Sequence, residues 1–178
     1  MHMEKLLLVR PGSEYADEIS AYRQESLDDD SHISGSSGLD RFENPLEWIE
    51  RSRLYESKET LPGAEWVVSD QFMLVRESDS RVLGLINLRH YLNDYLEEYG
   101  GHIGYSVRPD ERRKGYAKIM TLMCFDRCRE IGLERVLVTC KTDNEASRKT
   151  IFSLGGVYDR TTHSDSENVD LERYWISL

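Results

Sequence analysis

The stretch RPDERRKGYAKIM, residues 108–120, gathers Arg108, Arg112, Arg113, Lys114 and Lys118 into eleven positions that hold only Asp110 and Glu111 as acids. The chain around it is acidic: of 178 residues, 33 are Asp or Glu and 23 are Lys or Arg, a formal charge of −10. The positive charge surrounds one glycine, Gly115, where an apolar helical pattern begins. Ala117, Met120, Cys124, Cys128 and Ile131 recur at steps of three and four, which predicts a helix over about 114–131, with Gly132 as its stop. Before the basic stretch, GGHIGYSVRP reads as a strand ended by Pro109. Its alternation sets Ile103, Tyr105 and Val107 on one face and His102, Gly104 and Ser106 on the other.

Strand, short basic loop, glycine, helix is an arrangement that can hold an anion with backbone alone. The first helical turn leaves unpaired N–H groups, and the helix dipole adds partial positive charge there. Gly115 allows close approach, small Ala117 leaves room in the second turn, and flanking Arg and Lys supply charge-assisted bonds. Basic side chains at a helix start oppose the dipole, so a compensating anion is expected. The other reading is a solvated basic patch. Neither GxxxxGK[ST] nor GxGxxG is present.

Outward from this centre, EKLLLVR is a first strand, followed by a helix over about 14–26. Residues 28–45, DDDSHISGSSGLDRFENP, are a polar loop, and LEWIERSRLYES is a second helix. AEWVVSD, QFMLVRES and VLGLINLRHYL read as strands, with SDSR as a hairpin turn. ERVLVTCK has the continuous apolar centre of a strand buried on both faces. DNEASRKTIFSLGG is a helix with Asp143 or Asn144 as N-cap and Gly155–Gly156 as stop, and NVDLERYWISL is a last strand. The order β-α-α-β-β-β-α-β-α-β-β predicts an α/β (α+β) fold, a mixed, mostly antiparallel sheet flanked by helices. The length suits one domain spanning 1–178.

Composition excludes several classes. An acidic chain lacks the basic footprint of general nucleic-acid binding. No apolar run approaches the roughly 18 residues of a membrane helix, and MHMEKLLLVRPG is too soon charged for a signal peptide. Cys124, Cys128 and Cys140 form no CxxC pair, which speaks for buried thiols, no metal and a cytoplasmic setting.

RRKGYA resembles the R/Q-x-x-G-x-G/A pyrophosphate loop of the GNAT superfamily of acyl-CoA-dependent N-acetyltransferases, with Arg112, Gly115 and Ala117 in the motif positions. GYSVRPDE is similar to the family's splayed fourth strand, and the helix from Asn144 to Gly155 to its Asn-led helix. The resemblance implies acetyl-CoA as co-substrate and a small-molecule or peptidyl amine as acceptor, in a family that often forms homodimers. It implies that backbone amides of Arg113, Lys114, Gly115, Tyr116, Ala117 and Lys118 hold the pyrophosphate. The backbone of Tyr105, Ser106 and Val107 would pair with the pantetheine arm, Asn144 would bond the cofactor or simply cap its helix, and Arg148 and Lys149 would lie near the ribose phosphate or in solvent. Two positions depart from the family: Ile151 stands where many relatives carry a Tyr, and Thr139 where some carry a Glu. That leaves His102 as candidate base and Tyr105 as candidate proton donor, with His90, Glu97, Glu98 and Tyr158 as further candidates. The missing Tyr also allows a catalytically idle acyl-CoA-binding sensor.

Overall fold

A computed structural model describes residues 4–178; the first three residues of the segment read against a signal peptide lie outside it. The elements are β1 (Leu6–Val9), α1 (Ala16–Asp28), α2 (Pro45–Arg53), β2 (Ser69–Arg76), β3 (Arg81–Arg89), β4 (Ile103–Val107), α3 (Tyr116–Glu130), β5 (Arg135–Lys141), α4 (Glu145–Ser153), β6 (Val157–Ser164) and β7 (Val169–Ser177). Their order is the one the sequence predicts. Two strand boundaries and one connection differ. β2 begins only at Ser69, with Ala64–Trp66 in the turns before it, and β3 stops at Arg89. The connection to β4 contains a π-helical turn, Leu96–Gly100, which no apolar period announced.

The strands form two antiparallel sheets, β1-β2-β3-β4 and β5-β7-β6. Alternation in β2 divides the apolar side chains between two cores. Phe72 and Leu74 pack with Met120, Cys124, Phe125 and Cys128 of α3, while Met73 and Val75 pack with Ile19 and Tyr22 of α1 and Trp48 and Ile49 of α2. Helices therefore cover both faces of the first sheet. The loop before α2 is tied to the sheet by buried polar groups: Gln71 Nε2 donates to Gly35 O (2.9 Å), Ser37 Oγ donates to Gln71 Oε1 (2.8 Å), and Trp48 Nε1 donates to Ser36 O (2.7 Å). Gly35 takes φ +66° and lies so close to β4 that a Cβ there would collide with the Gly104 carbonyl. The polar loop is thus fitted to the sheet.

β4 and β5 come together at one point. His102 N–H donates to Leu137 O (2.8 Å), and Leu137 N–H donates to His102 Nδ1 (2.9 Å). Gly101, at φ +67°, makes this approach feasible, since a Cβ would stand 2.5 Å from Leu137 O. Beyond that point the two strands form no ladder among the described residues.

Arg108, just past β4, is 1% exposed and holds α1 against the sheet. Its Nε and Nη2 each donate to Glu25 at 2.6 Å, and its Nη1 donates to Glu18 at 2.7 Å and to Val82 O at 3.1 Å. Removing one partner leaves charges uncompensated, although both glutamates keep some access to water. Arg108→Met should therefore lower unfolding free energy by about 2–3 kcal/mol. Urea denaturation checks this: the midpoint falls with little change in slope.

Candidate active site

The basic loop contains few free charges. Besides Arg108, Arg112 donates to Asp29 Oδ2 (2.8 Å) and Ser31 Oγ (2.8 Å), and Lys114 Nζ donates to Glu111 Oε2 (2.7 Å). Only Arg113 and Lys118, of the five basic side chains, lack a carboxylate partner among the described residues. What remains open is backbone. The first bond of α3 runs from Ile119 N–H to Gly115 O, and α3 has no side-chain cap. Among the described residues, the six consecutive N–H groups of Arg113, Lys114, Gly115, Tyr116, Ala117 and Lys118 meet no protein acceptor. Arg113 (φ +65°) and Gly115 (φ +84°) both adopt left-handed backbone, which curls these donors into a nest. A Cβ on Gly115 would meet nothing within 4 Å, so the cradle opens to solvent. Two other helix starts carry side-chain caps: Asn44 accepts from Leu46 N–H in α2, and Asn144 accepts from Ser147 N–H in α4.

The edges of the cleft follow from strand register. Arg89 N–H donates to His102 O and Arg108 N–H donates to Leu83 O, both at 2.8 Å. Alternate β4 residues therefore turn toward β3, and Ile103, Tyr105 and Val107 direct their backbone groups toward β5. On β5, Thr142 N–H bonds Asp170 O and Leu178 N–H bonds Glu134 O, so Leu137 and Thr139 direct theirs toward β4. Leu137 is taken by His102. Tyr105, Val107 and Thr139 are left facing a wedge-shaped gap whose β4 end leads directly into the uncapped start of α3. Ser106 faces β3, and its hydroxyl bonds Tyr22 Oη (2.9 Å), so its expected pairing with a ligand in the cleft is not what the register favours.

His102 is 6% exposed. Burial, with the positive charges of Arg89 and Arg135, lowers its pKa to about 4. The lone pair of Nδ1 is occupied by Leu137 N–H, which makes the neutral ring an Nε2–H tautomer. That geometry disfavours the expected base and makes the residue a clamp. Tyr105 lies on the α3–α4 side, its hydroxyl 2.9 Å from Ser147 Oγ, and burial pushes its pKa up to about 12. It remains a protonated hydroxyl at neutral pH. Asn144 Oδ1 caps α4, leaving its Nδ2 outside that bond. Other candidates are engaged elsewhere. His90 Nε2 lies 2.9 Å from buried Asp70, Glu98 receives Arg160 and Thr162, and Tyr158 bonds Thr161. Arg148 donates twice to Glu172 and once to the Thr142 carbonyl, and Lys149 pairs with Glu145. Ile151, in the position of the usual Tyr, is fully buried in the core.

A sequence profile of the acetyltransferase (GNAT) domain matches residues 5–157. The chain belongs to the GNAT acetyltransferase family. Solved structures share the GNAT fold at low identity. The ribosomal-protein-S5-alanine acetyltransferase from Vibrio fischeri is 17% identical with a TM-score of 0.73, over 99% of this chain and 95% of that one. The microcin C7 self-immunity acetyltransferase MccE, solved with acetyl-CoA and AMP, is 16% identical with a TM-score of 0.71, over 98% and 93%. Mutant forms of the spermidine/spermine N-acetyltransferase SpeG from Vibrio cholerae give 14% and 0.61, over 97% and 95%. No curated protein sequence matches the chain. No described helix is long and apolar enough to cross a membrane, and among the described residues no three His, Cys, Asp or Glu stand together as metal ligands.

Sequence reasoning missed the clamp. Gly101 was its only local signal, since a GG pair before a strand marks close backbone approach. The clamp has a pH signature. His102 binds a proton less readily folded (about 4) than unfolded (6.5), so the unfolded state takes up more protons between these values. Its stabilising contribution is complete above pH 6.5 and is lost as pH falls toward 4, by at most about 1.4 kcal/mol per pH unit. Unfolding curves between pH 4 and 8 should show this slope, and His102→Asn should flatten it.

Proposed function

We propose that this protein transfers an acetyl group from acetyl-CoA to a primary amine of a small molecule or peptide, as one cytoplasmic acetyltransferase domain over residues 1–178. The observation that carries this reading is the run of six unpaired N–H groups at the uncapped start of α3, continuous with the gap between β4 and β5. A pyrophosphate fits the nest, because its oxygens accept several backbone bonds at once and complement the helix dipole. The pantetheine arm, with two amides, would bond the gap-facing backbone of Tyr105, Val107 and Thr139 as a strand substitute, taking the place of Arg112 Nε at Val107 O. Its thioester would then lie toward His102 and Leu137. The acetyl-CoA in the MccE structure supports this choice of donor.

In the reaction, the amine lone pair attacks the thioester carbonyl carbon. The C–N bond forms, the C–S bond breaks, and the amine's surplus proton passes to water. The leaving thiolate takes a proton. The Tyr105 hydroxyl is the group assigned to supply it, regaining its own proton from the water that took the amine's: it stays protonated well above neutrality, and it reaches α4 at Ser147, one helical turn before Ile151. A hydroxyl from β4 would thus replace the one that relatives carry on α4. Buried Ile151 favours a second reading, an acyl-CoA-binding sensor without turnover.

Two measurements separate these. Acetyl-CoA binding by calorimetry, followed by free-thiol release over a panel of amines, should show both affinity and turnover; affinity with no turnover on any amine favours the sensor. Gly115→Glu fills the open cradle with bulk and negative charge at a positive φ. It should weaken acetyl-CoA binding at least about 100-fold, the loss of two or more charge-assisted bonds at roughly 1.5 kcal/mol each. Unchanged affinity would remove the phosphate from this loop.

A further inference from the structure

The acidic run Asp28–Asp30 stands where local charge opposes it. α1 closes at Asp28 with Asp29 as its C-cap, and its last turn contains no basic residue. The negative end of the helix dipole therefore meets three carboxylates in succession. Asp28 accepts only from an uncharged donor, Gln24 Nε2 (2.8 Å). Among the described residues, the cation that pairs with the run is Arg112, reaching across from the loop before α3.

Arg112 divides its guanidinium three ways. Nη1 donates to Asp29 Oδ2 and Nη2 to Ser31 Oγ, both at 2.8 Å, while Nε donates to Val107 O at 3.3 Å. Ser31 Oγ in turn bonds Asp29 Oδ2. Each nitrogen of the guanidinium is thus committed to protein. The bond to Val107 O crosses the β4 side of the gap, and Arg112 directly precedes the six open N–H groups of residues 113–118. A carboxylate and a phosphate accept from the same planar fork, so Asp29 occupies what an anion in the nest would use. The Arg112 and Asp29 side chains are 43% and 42% exposed, and such a pair parts into water at modest cost. Its neighbours are less free to part: Arg108 and Glu111, the partner of Lys114, are both buried.

We propose that the acidic end of α1 is an internal competitor for the donor: Asp29 holds Arg112 across the mouth of the gap until the diphosphate and pantetheine arm of acetyl-CoA displace it. This rests on the donor placement given above and adds a control on entry. The diphosphate carries more charge than one carboxylate and draws the guanidinium to itself, while a pantetheine amide replaces Nε at Val107 O. Asp29 and Ser31 then lose their cation against the helix dipole, and the end of α1 loosens. Loosening stops at Ile33, which is buried in the α1–α2 core, and at Gly35, seated on β4. Donor affinity is therefore lower than the cradle alone would give, and it is set by charge at one residue.

Calorimetric titration of acetyl-CoA tests this. Wild type comes first; if it binds no acetyl-CoA, the donor placement fails and the proposal fails with it. Given binding, Asp29→Asn should tighten it by about two- to fivefold, the worth of an exposed ion pair. Removing any acid from a chain of formal charge −10 favours a polyanion, so a charge-matched control is needed. Asp30→Asn removes the same charge one residue on without touching the Arg112 pair, and it should tighten binding by less than half as much. In an Arg112→Gln background, Asp29→Asn should leave affinity unchanged, because the competitor has nothing to hold. Amide exchange gives a second reading. The Ser31 N–H, bonded to Ser26 O (2.9 Å), and the Asp29 N–H, bonded to Glu25 O (3.1 Å), should exchange faster once acetyl-CoA is added. Wild type that binds acetyl-CoA while Asp29→Asn leaves affinity unchanged would overturn the proposal and spare the donor placement. Equal tightening by Asp29→Asn and Asp30→Asn, or the same gain from Asp29→Asn without Arg112, would do so too.

Discussion

The two hydrogen bonds between His102 and Leu137 set the geometry of the rest. They join the two sheets at one residue pair, using the main chain of both and the imidazole of one. A regular parallel ladder would continue the pairing and close the gap. The side-chain nitrogen takes Leu137 N–H where a backbone carbonyl would otherwise do so. The strands can then separate immediately, leaving the backbone of Tyr105, Val107 and Thr139 without a partner strand along the gap, where Val107 O accepts from Arg112 Nε (3.3 Å). An exposed strand edge invites association, yet here the edges face each other inside the fold and suit only a slender ligand. Burial of the imidazole, which keeps it neutral, is what allows Nδ1 to act as an acceptor.

The charge distribution follows a similar logic. The basic stretch of residues 108–118 suggested an electrostatic site, yet Arg108, Arg112 and Lys114 spend their charge on Glu25 and Glu18, on Asp29, and on Glu111. These pairs fix the loop that connects β4 to α3 and brace α1 against it. With three of the five side chains engaged, the proposed anion recognition rests mainly on backbone donors that no substitution short of added bulk removes. On the other face Arg89 Nη1 meets only the carbonyls of Gly100 and Gly101, a surrounding that no sequence pattern marks.

Much of the fold was legible in the chain. Period-two alternation placed Ile103, Tyr105 and Val107 on the core face of β4, and three- and four-residue steps marked α3 through Met120, Cys124 and Cys128. Gly115 with its neighbours marked the open, uncapped start of α3, because a glycine before a helix is a local signal. The roles of side chains were less legible. His102 looked like a base because its residue type titrates near neutrality, and only the position of Leu137, 35 residues away, makes it a clamp. Arg89 differs from the arginines that meet carboxylates through what surrounds it, and pairing across strands cannot be read from one strand. Gly35 and Gly104 likewise look like ordinary loop and strand glycines until the loop is seen resting on β4.

The central claim is that the donor is held by backbone, along the gap and at the start of α3. Amide hydrogen exchange in the presence and absence of acetyl-CoA reads those groups directly, since an N–H bonded to ligand exchanges more slowly. The account predicts slowed exchange at Tyr105, Val107 and Thr139 and across Arg113–Lys118, with the amides of β1 and β2 unaffected. Binding of acetyl-CoA that left these amides exchanging as before, and protected another surface, would contradict it.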